Sequence, residues 1–183
     1  MKNIYGYTYA QATNLFAYLP VDGNVVMDLG AGIRDNPISK QICELDVPML
    51  ISIDDFSPYI PILKEIPVRA LEHLVIQISV LDAGILPNSD VVMLDVIEHL
   101  YKSDALDLIK KVQASARTFV IFTPEGNTIG FSNNHMDNPL QEHLSAWSAE
   151  ELEELGFEVT VFKGFHKHVK SYPVGAIWAK WSK

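Results

Sequence analysis

The chain is poor in cysteine: Cys43 is the only one in 183 residues. A single thiol excludes an internal disulfide and a cysteine-built zinc cluster. Lying next to Ile42 and close to Leu45, it reads as a packing residue. Positive charge is also scarce. Fourteen Lys and Arg face 23 Asp and Glu, for a formal net charge of −9 and a pI near 5.0. That balance argues against a broad nucleic-acid footprint. No apolar run reaches the ~18–20 residues that cross a bilayer, and the first residues lack a signal-peptide pattern. We expect a soluble, cytoplasmic protein without a membrane partner. Internal repeats, low-complexity segments and linkers are lacking too. What is present is an apolar content of 48 %, enough for one domain over residues 1–183 with a sizeable core.

Strand and helix signals alternate along the chain. An amphipathic helix is predicted over Tyr7–Leu19, stopped by Pro20, which makes residues 1–20 a helical arm. Strands are predicted at Asn24–Leu29, Pro48–Ile53, His73–Ile78, Asp90–Asp95, Thr118–Thr123, Phe157–Phe162 and Gly175–Trp181. Helices are expected at about Pro37–Leu45, after Ser57-Pro58, over Ser103–Ala116 with Ser103 as N-cap, and from the capping box Ser148-Ala149-Glu150-Glu151 through Leu155. Alternation of this kind predicts an α/β domain with a largely parallel sheet. The continuous apolar runs at 24–29, 90–95 and 118–123 fit strands covered on both faces. Ligands in such sheets sit outside the carboxyl ends of the strands, where Asp28, Asp54 and Asp95 fall. The irregular stretch 125–147 is placed to act as a lid.

The strand Val25-Val26-Met27-Asp28 runs through Leu29 into Gly30-Ala31-Gly32. The two glycines allow a sharp turn and close approach of a ligand. A dinucleotide loop needs a third glycine. That place holds Asp35, whose carboxylate would repel a pyrophosphate. The acid Asp28 instead suits a ligand with positive charge near the loop, such as S-adenosylmethionine.

Five segments in order carry a family resemblance. Val26–Gly32 resembles the first motif of the class I, seven-stranded S-adenosylmethionine-dependent methyltransferases. Ile51-Ser52-Ile53-Asp54 matches the acid after their second strand. Asp90–Leu100 and Val120–Asn127 resemble the fourth and fifth strands of the branch that includes ubiquinone-biosynthesis O-methyltransferases. His143–Ser148 with Glu151–Val159 resembles its closing helix and sixth strand. The resemblance implies a three-layer α-β-α sandwich whose seven-stranded sheet has the order 3-2-1-4-5-7-6, strand 7 antiparallel. It also implies an enzyme that moves a methyl group from S-adenosylmethionine to an O or N nucleophile of an unidentified acceptor, small or macromolecular.

The same resemblance assigns cofactor binding to Asp28, Gly30, Gly32, Asp54, Asp55, Ser79, Val80 and Asp95. Asp54 is preferred over Asp55 for the ribose hydroxyls, and Ser79 competes with Asp82 for the adenine. Arg34 is either stacked near the cofactor or solvated. His99 and His143 are the candidate general bases, since an imidazole takes a proton near neutral pH. No metal is expected. The alternative is a cation on Asp95, Glu98 and His99, which share a helix face at i, i+3 and i+4, with His143 as a later histidine and His135 in reserve. Small-RNA 2′-O-methyltransferases use a similar pattern, so a metal-assisted 2′-O-methyltransferase is the rival activity. A catalytically silent, methyltransferase-like binding module is the rival of another class. His166 and His168, with Lys163, Lys167 and Lys170, read as a solvated basic loop. Tyr5, Tyr7 and Tyr9 are candidates to cap the pocket or to pack, and Trp178 and Trp181 read as packing residues.

Overall fold

A computed structural model describes residues 1–5, 24–132, 135–166 and 175–183. The predicted helix over 7–19 lies outside these residues, as do Tyr7, Tyr9, Lys167, His168 and Lys170.

Eight strands form one sheet: β1 (Lys2–Tyr5), β2 (Val25–Leu29), β3 (Met49–Asp54), β4 (Glu72–Gln77), β5 (Asp90–Leu94), β6 (Thr118–Pro124), β7 (Glu158–Lys163) and β8 (Ala176–Ser182). Their order is β1-β7-β8-β6-β5-β2-β3-β4. The seven predicted strands are β2–β8 and hold the expected relative order, with β8 antiparallel between β6 and β7. The addition is β1, which extends the sheet by pairing parallel with β7. Tyr5 therefore ends an edge strand, six positions across the sheet from β3.

β5 is buried throughout, as is β6 up to Thr123. Period-two alternation sends Met27, Leu29, Ile51, Ile53, Val91, Met93 and Ile121 to one face. Val26, Leu50, Val92, Leu94, Val120 and Phe122 go to the other. The first face is covered by helix α2 (Lys102–Ser115), through Ala105, Leu108, Ile109 and Val112, and by helix α3 (Ala149–Glu154), through Ala149 and Leu152. Ile38, Ile42 and Val47 cover the second face together with Phe165. Trp178 packs into this second core and Trp181 against the first. Helix α1 (Tyr59–Glu65) follows β3 and buries Tyr59, Ile60 and Leu63.

The local signals differ from the structure at three points. The segment expected to be a helix from Pro37 to Leu45 forms a 3-10 helix over Ser39–Glu44. Asn36 accounts for its start: its Oδ1 accepts from the N–H of both Ile38 and Ser39 at 2.9 Å. Ser103 is not the N-cap of α2. That position belongs to Tyr101, which makes no side-chain cap, while the Ser103 hydroxyl turns to Asp104. Cys43 is half-buried rather than enclosed. The capping box at Ser148 and Glu151 forms as the sequence requires.

Candidate functional site

The carboxyl ends of β2, β3 and β5 open into a cavity of about 520 Å³. Gly30, Gly32, Asp54, Asp55, Ser79, Val80 and Asp95 all line it, as do His99 and His143. Asp28 does not line it, and neither does Asp82.

The glycine loop is built by backbone geometry. Gly30 and Gly32 both hold left-handed φ values, +73° and +56°. A Cβ on Gly30 would stand 2.6 Å from Val96 Cγ2, whereas one on Gly32 would meet nothing within 4 Å. Gly30 thus serves the packing of the loop on the turn after β5, and Gly32 leaves the cavity wall open. The N–H groups of Gly30 and Ala31 bond to the Ile53 carbonyl at 2.8 and 3.0 Å, which ties the loop to β3.

Asp54 is 8 % exposed. Its Oδ2 accepts the N–H of Gly32 and its Oδ1 the N–H of Phe56, each at 2.9 Å. Burial pushes this carboxyl above the ordinary range, and the two N–H donors oppose the rise. Each oxygen keeps a further lone pair, the arrangement that a vicinal diol needs. Asp55, one residue on, is exposed. β4 ends at Gln77, so Ser79 and Val80 arrive at the rim while Asp82 stays outside it.

Arg34 is not solvated. It is 3 % exposed at φ +53°. Its Nη2 donates to Asp28 Oδ2 at 2.8 Å and also to the Ser52 hydroxyl. Ser52 Oγ in turn lies 2.9 Å from His73 Nε2. Asp28 is 2 % exposed, so its charge is spent on Arg34 beneath the loop.

The opposite wall follows β5. Asp95 holds a left-handed φ of +54°, and a three-residue 3-10 helix, Ile97–His99, comes after it. The shared α-helical face expected for Asp95, Glu98 and His99 therefore does not form. The chain leaves the strand through Asp95 and tightens at once, so Asp95 stands outside the short turn that holds Glu98 and His99, although its carboxyl still feels both of their charges. Instead, one ligand atom from each of Glu98, His99 and His143 lies within 4.8 Å of the others. The two rings meet edge to face at 4.9 Å. His99 Nδ1 faces the Glu142 carbonyl at 3.2 Å and His143 Nδ1 the Thr128 hydroxyl at 2.7 Å, which leaves Nε2 of each ring. Glu98 is 2 % exposed; Thr123 Oγ1 donates to its Oε2 at 2.9 Å, and its Oε1 has no partner.

The charges on this wall are displaced by burial. Burial raises Asp95 and Glu98, and for Asp95 the Glu98 charge adds to the rise. Burial lowers both imidazoles, His143 to about 4 with help from His99 and His166, so both are neutral at pH 7.

The stretch 125–147 folds back over this wall through bridges Gly126–Trp147 and Ser132–Glu142. It brings Thr128, Phe131, His135 and Asn138 to the cavity. Tyr59 of α1, 4 % exposed, reaches this stretch: its hydroxyl lies 3.4 Å from His135 Nδ1. Tyr59, Phe131 and Asn138 were not singled out from the sequence. Tyr59 alone carries a signal, as an aromatic one turn past an acid at a strand end. His166, read as a solvated loop residue, also lines the cavity, because Phe165 beside it is anchored in the core.

No protein-family model matches the chain, and no curated protein sequence does. Solved structures do. The methyltransferase domain of bacterial CtHen1-CN is similar at a TM-score of 0.58 and 16 % identity, over 94 % of this chain and 97 % of that one. The cyclopropane synthase MmaA2 from Mycobacterium tuberculosis gives 0.69 and 12 %, over 95 % and 84 %. Magnesium protoporphyrin IX methyltransferase (ChlM) from Synechocystis PCC 6803, solved with bound SAM, gives 0.60 and 14 %, over 95 % and 79 %. At these identities the likeness shows the fold: a Rossmann-like α/β sandwich shared with solved methyltransferases. It does not single out the ubiquinone-biosynthesis branch.

Proposed function

We propose that the chain is an S-adenosylmethionine-dependent methyltransferase acting on an O or N nucleophile. The observation that carries the reading is the Asp54 carboxylate, fixed by the N–H groups of Gly32 and Phe56 at the mouth of an open glycine loop. The residues fit the cofactor. Asp54, with Asp55 beside it, offers acceptors for two ribose hydroxyls. Ser79 and Val80 offer a hydroxyl and an apolar edge to the adenine. Gly30, Gly32 and Asp95 border the amino-acid end, and Asp28 holds the loop from below through Arg34. When bound, the cofactor supplies an activated methyl group on a cationic sulfur, displaced in line by the nucleophile.

The chain itself has three tasks. The sheet ends and the glycine loop orient the methyl donor. Stretch 125–147 acts as the lid: it walls the acceptor side and excludes water. His99 and His143, neutral at working pH, accept the proton that leaves the acceptor's hydroxyl or amine as its lone pair forms the new bond to carbon. Calorimetric titration with S-adenosylmethionine and S-adenosylhomocysteine tests the reading. Micromolar binding is expected, and no binding to either would favour a methyltransferase-like binding module.

A second reading is favoured by one observation: Glu98 Oε1 is buried without a partner in a residue that has a carboxylate oxygen within 4.8 Å of a ring nitrogen of both His99 and His143. One carboxylate oxygen and two imidazoles suit a borderline divalent cation such as Mn²⁺, Co²⁺ or Zn²⁺. The partners on the two Nδ1 atoms are of the kind that orient metal-bound histidines. In this reading Glu98, His99 and His143 hold a cation that would acidify the acceptor hydroxyl, and His135 stands nearby on the same wall. Metal analysis of the purified protein and of Glu98→Ala decides: an ion present in the first and lost in the second supports it.

A further inference from the structure

Glu98, His99 and His143 all line the cavity, and one ligand atom from each lies within 4.8 Å of the others. What the three share is that they accept. Glu98 is 2 % exposed and its Oε1 has no partner. A buried carboxylate oxygen without a donor is costly, and so calls for one. His99 Nδ1 lies 3.2 Å from the Glu142 carbonyl. A carbonyl only accepts, so in the neutral ring Nδ1 carries the proton and Nε2 keeps its lone pair. The hydroxyls bonded to the three are already engaged. Thr123 donates to Glu98 Oε2, and Thr128 is bonded to His143 Nδ1.

The surrounding cations do not supply the donors. Residues 118–162 contain no Lys or Arg. Lys102 at the start of α2, Arg117 and Lys163 are each held by an acid, respectively Glu151, Asp90 and Glu125. The donors therefore come with the ligand, and its chemistry follows from their number. A hydroxyl brings one O–H, whereas an ammonium brings three N–H groups. The spacing agrees. A nitrogen donating tetrahedral N–H bonds of about 2.9 Å holds its acceptors about 4.7 Å apart. Ligands of a divalent ion at about 2.1 Å stand about 3.4 Å apart. A span of 4.8 Å accommodates the first without movement.

Beside these acceptors stands an apolar ring. Phe131 lines the cavity and packs on the His143 ring at 5.3 Å between centroids. Two backbone bonds fix it there: the Gly130 N–H donates to the His143 carbonyl at 2.9 Å, and the His143 N–H to the Phe131 carbonyl at 2.8 Å. At 38 % exposure the ring still has surface to offer a ligand. An aromatic ring next to anionic and neutral acceptors suits a cation on an apolar stem.

We propose that the acceptor of this site is a primary amine, bound as its ammonium: Glu98, His99 and His143 take its N–H groups, and Phe131 flanks its carbon stem. The inference rests on the methyltransferase reading above and narrows its nucleophile from oxygen or nitrogen to nitrogen. The ammonium gives one proton to His99 Nε2. The lone pair so freed forms the new N–C bond, and the S–C bond breaks with its pair left on sulfur. The methylated nitrogen keeps its two other protons and its positive charge.

The test is a matched pair of probes, benzylamine and benzyl alcohol. Each is titrated by calorimetry into the whole protein, stripped of metal with EDTA and saturated with S-adenosylhomocysteine, in about 0.15 M salt to screen diffuse attraction to the acidic surface. Benzylamine is expected to bind at least about tenfold tighter than the alcohol, as charge-assisted bonds are about twice as strong as neutral ones. Glu98→Gln should weaken benzylamine about tenfold and leave the alcohol within about twofold. Equal affinity for the two probes, no binding of either at millimolar concentration, or an equal loss of both in Glu98→Gln would overturn the proposal. Benzylamine binding that depends on added Mn²⁺ would assign the three residues to a metal and overturn it too. The probe ratio in wild type keeps the test available should Glu98→Gln fold poorly. Protein that binds benzylamine but not S-adenosylhomocysteine overturns the cofactor reading instead, an outcome distinct from a probe ratio of one.

Discussion

Asp54 and Glu98 are both buried carboxylates in one cavity, yet they are solved differently. Asp54 has a backbone N–H on each oxygen, supplied by Gly32 and Phe56. Glu98 has Thr123 on one oxygen and nothing on the other. The first acid is fixed by the main chain at the mouth of a loop, and so has a set orientation before any ligand arrives. The second is left incomplete, facing two neutral imidazoles. In the function proposed above, one finished and one unfinished acid separate holding from reacting: the β2–β4 side would position the ligand, and the β5–β6 side would exchange a proton or a cation.

The comparison is broken most severely at Asp54. Asp54→Ala removes both the diol acceptor and the anchor of the Gly32 N–H, and cofactor affinity is expected to fall about 100-fold, in line with charge-assisted bonds of ~1.5–3 kcal/mol. Unchanged affinity by calorimetry would remove Asp54 from the site.

Next in size is Gly30→Ala. The added Cβ meets Val96 Cγ2 at 2.6 Å at a φ of +73°. A loss of about 2–3 kcal/mol in stability is expected, from overpacking and left-handed strain together. Val96→Ala in the same chain should return part of it. Denaturant melts of the single and double variants measure both.

Glu98→Gln sharpens the contrast through pH. Burial raises the Glu98 carboxyl in the folded state to about 7. A raised folded pKa gives stability that is full at low pH and is lost as pH climbs from the ordinary carboxylate range through the folded value. In metal-free buffer Glu98→Gln should therefore melt higher than wild type at pH 8, and the gap should close toward pH 5. A gap independent of pH would show that Glu98 is not a strained acid. His143 runs the other way. Its lowered pKa, about 4, gives stability that is full above pH ~6.5 and is lost as pH falls from there to about 4.

The smallest effect is expected where the two sides touch. Tyr59→Phe removes a hydroxyl 3.4 Å from His135 Nδ1. A bond that long is weak, so cofactor affinity should change by less than about threefold. A larger loss would make Tyr59 a clasp between α1 and the stretch over the cavity.

Much of the fold was legible because strands announce themselves locally. The apolar runs at 90–94 and 118–123, the capping box at Ser148 and the glycine loop each depend on near neighbours in sequence. The additional strand β1 was not legible. Four residues, Lys2–Tyr5, carry no periodicity of their own, and their partner is β7 at the far end of the chain. In the site, the residues at strand ends were legible, since strand polarity brings them to one edge. Arg34 was not, because its role depends on Ser52 and Asp28 across two strands. The face shared by Asp95, Glu98 and His99 was misread for a related reason. Periodicity assumes a continuing helix, and the left-handed turn at Asp95 breaks it. His143 meets His99 only because 125–147 doubles back, which no local signal encodes.

The insertion of β8 between β6 and β7 has a consequence for the order of assembly. β7 cannot join the sheet until residues 176–182 have paired with β6, and β1 in turn waits for β7. Residues 2–5 and their partners at 160–163 are more than 150 residues apart in the chain. One edge of the sheet is thus closed last, by contacts of very high sequence separation, whose loop-closure entropy must be met before any pairing is gained. Refolding should show the β2–β6 block gaining amide protection first and the β1–β7–β8 edge afterwards.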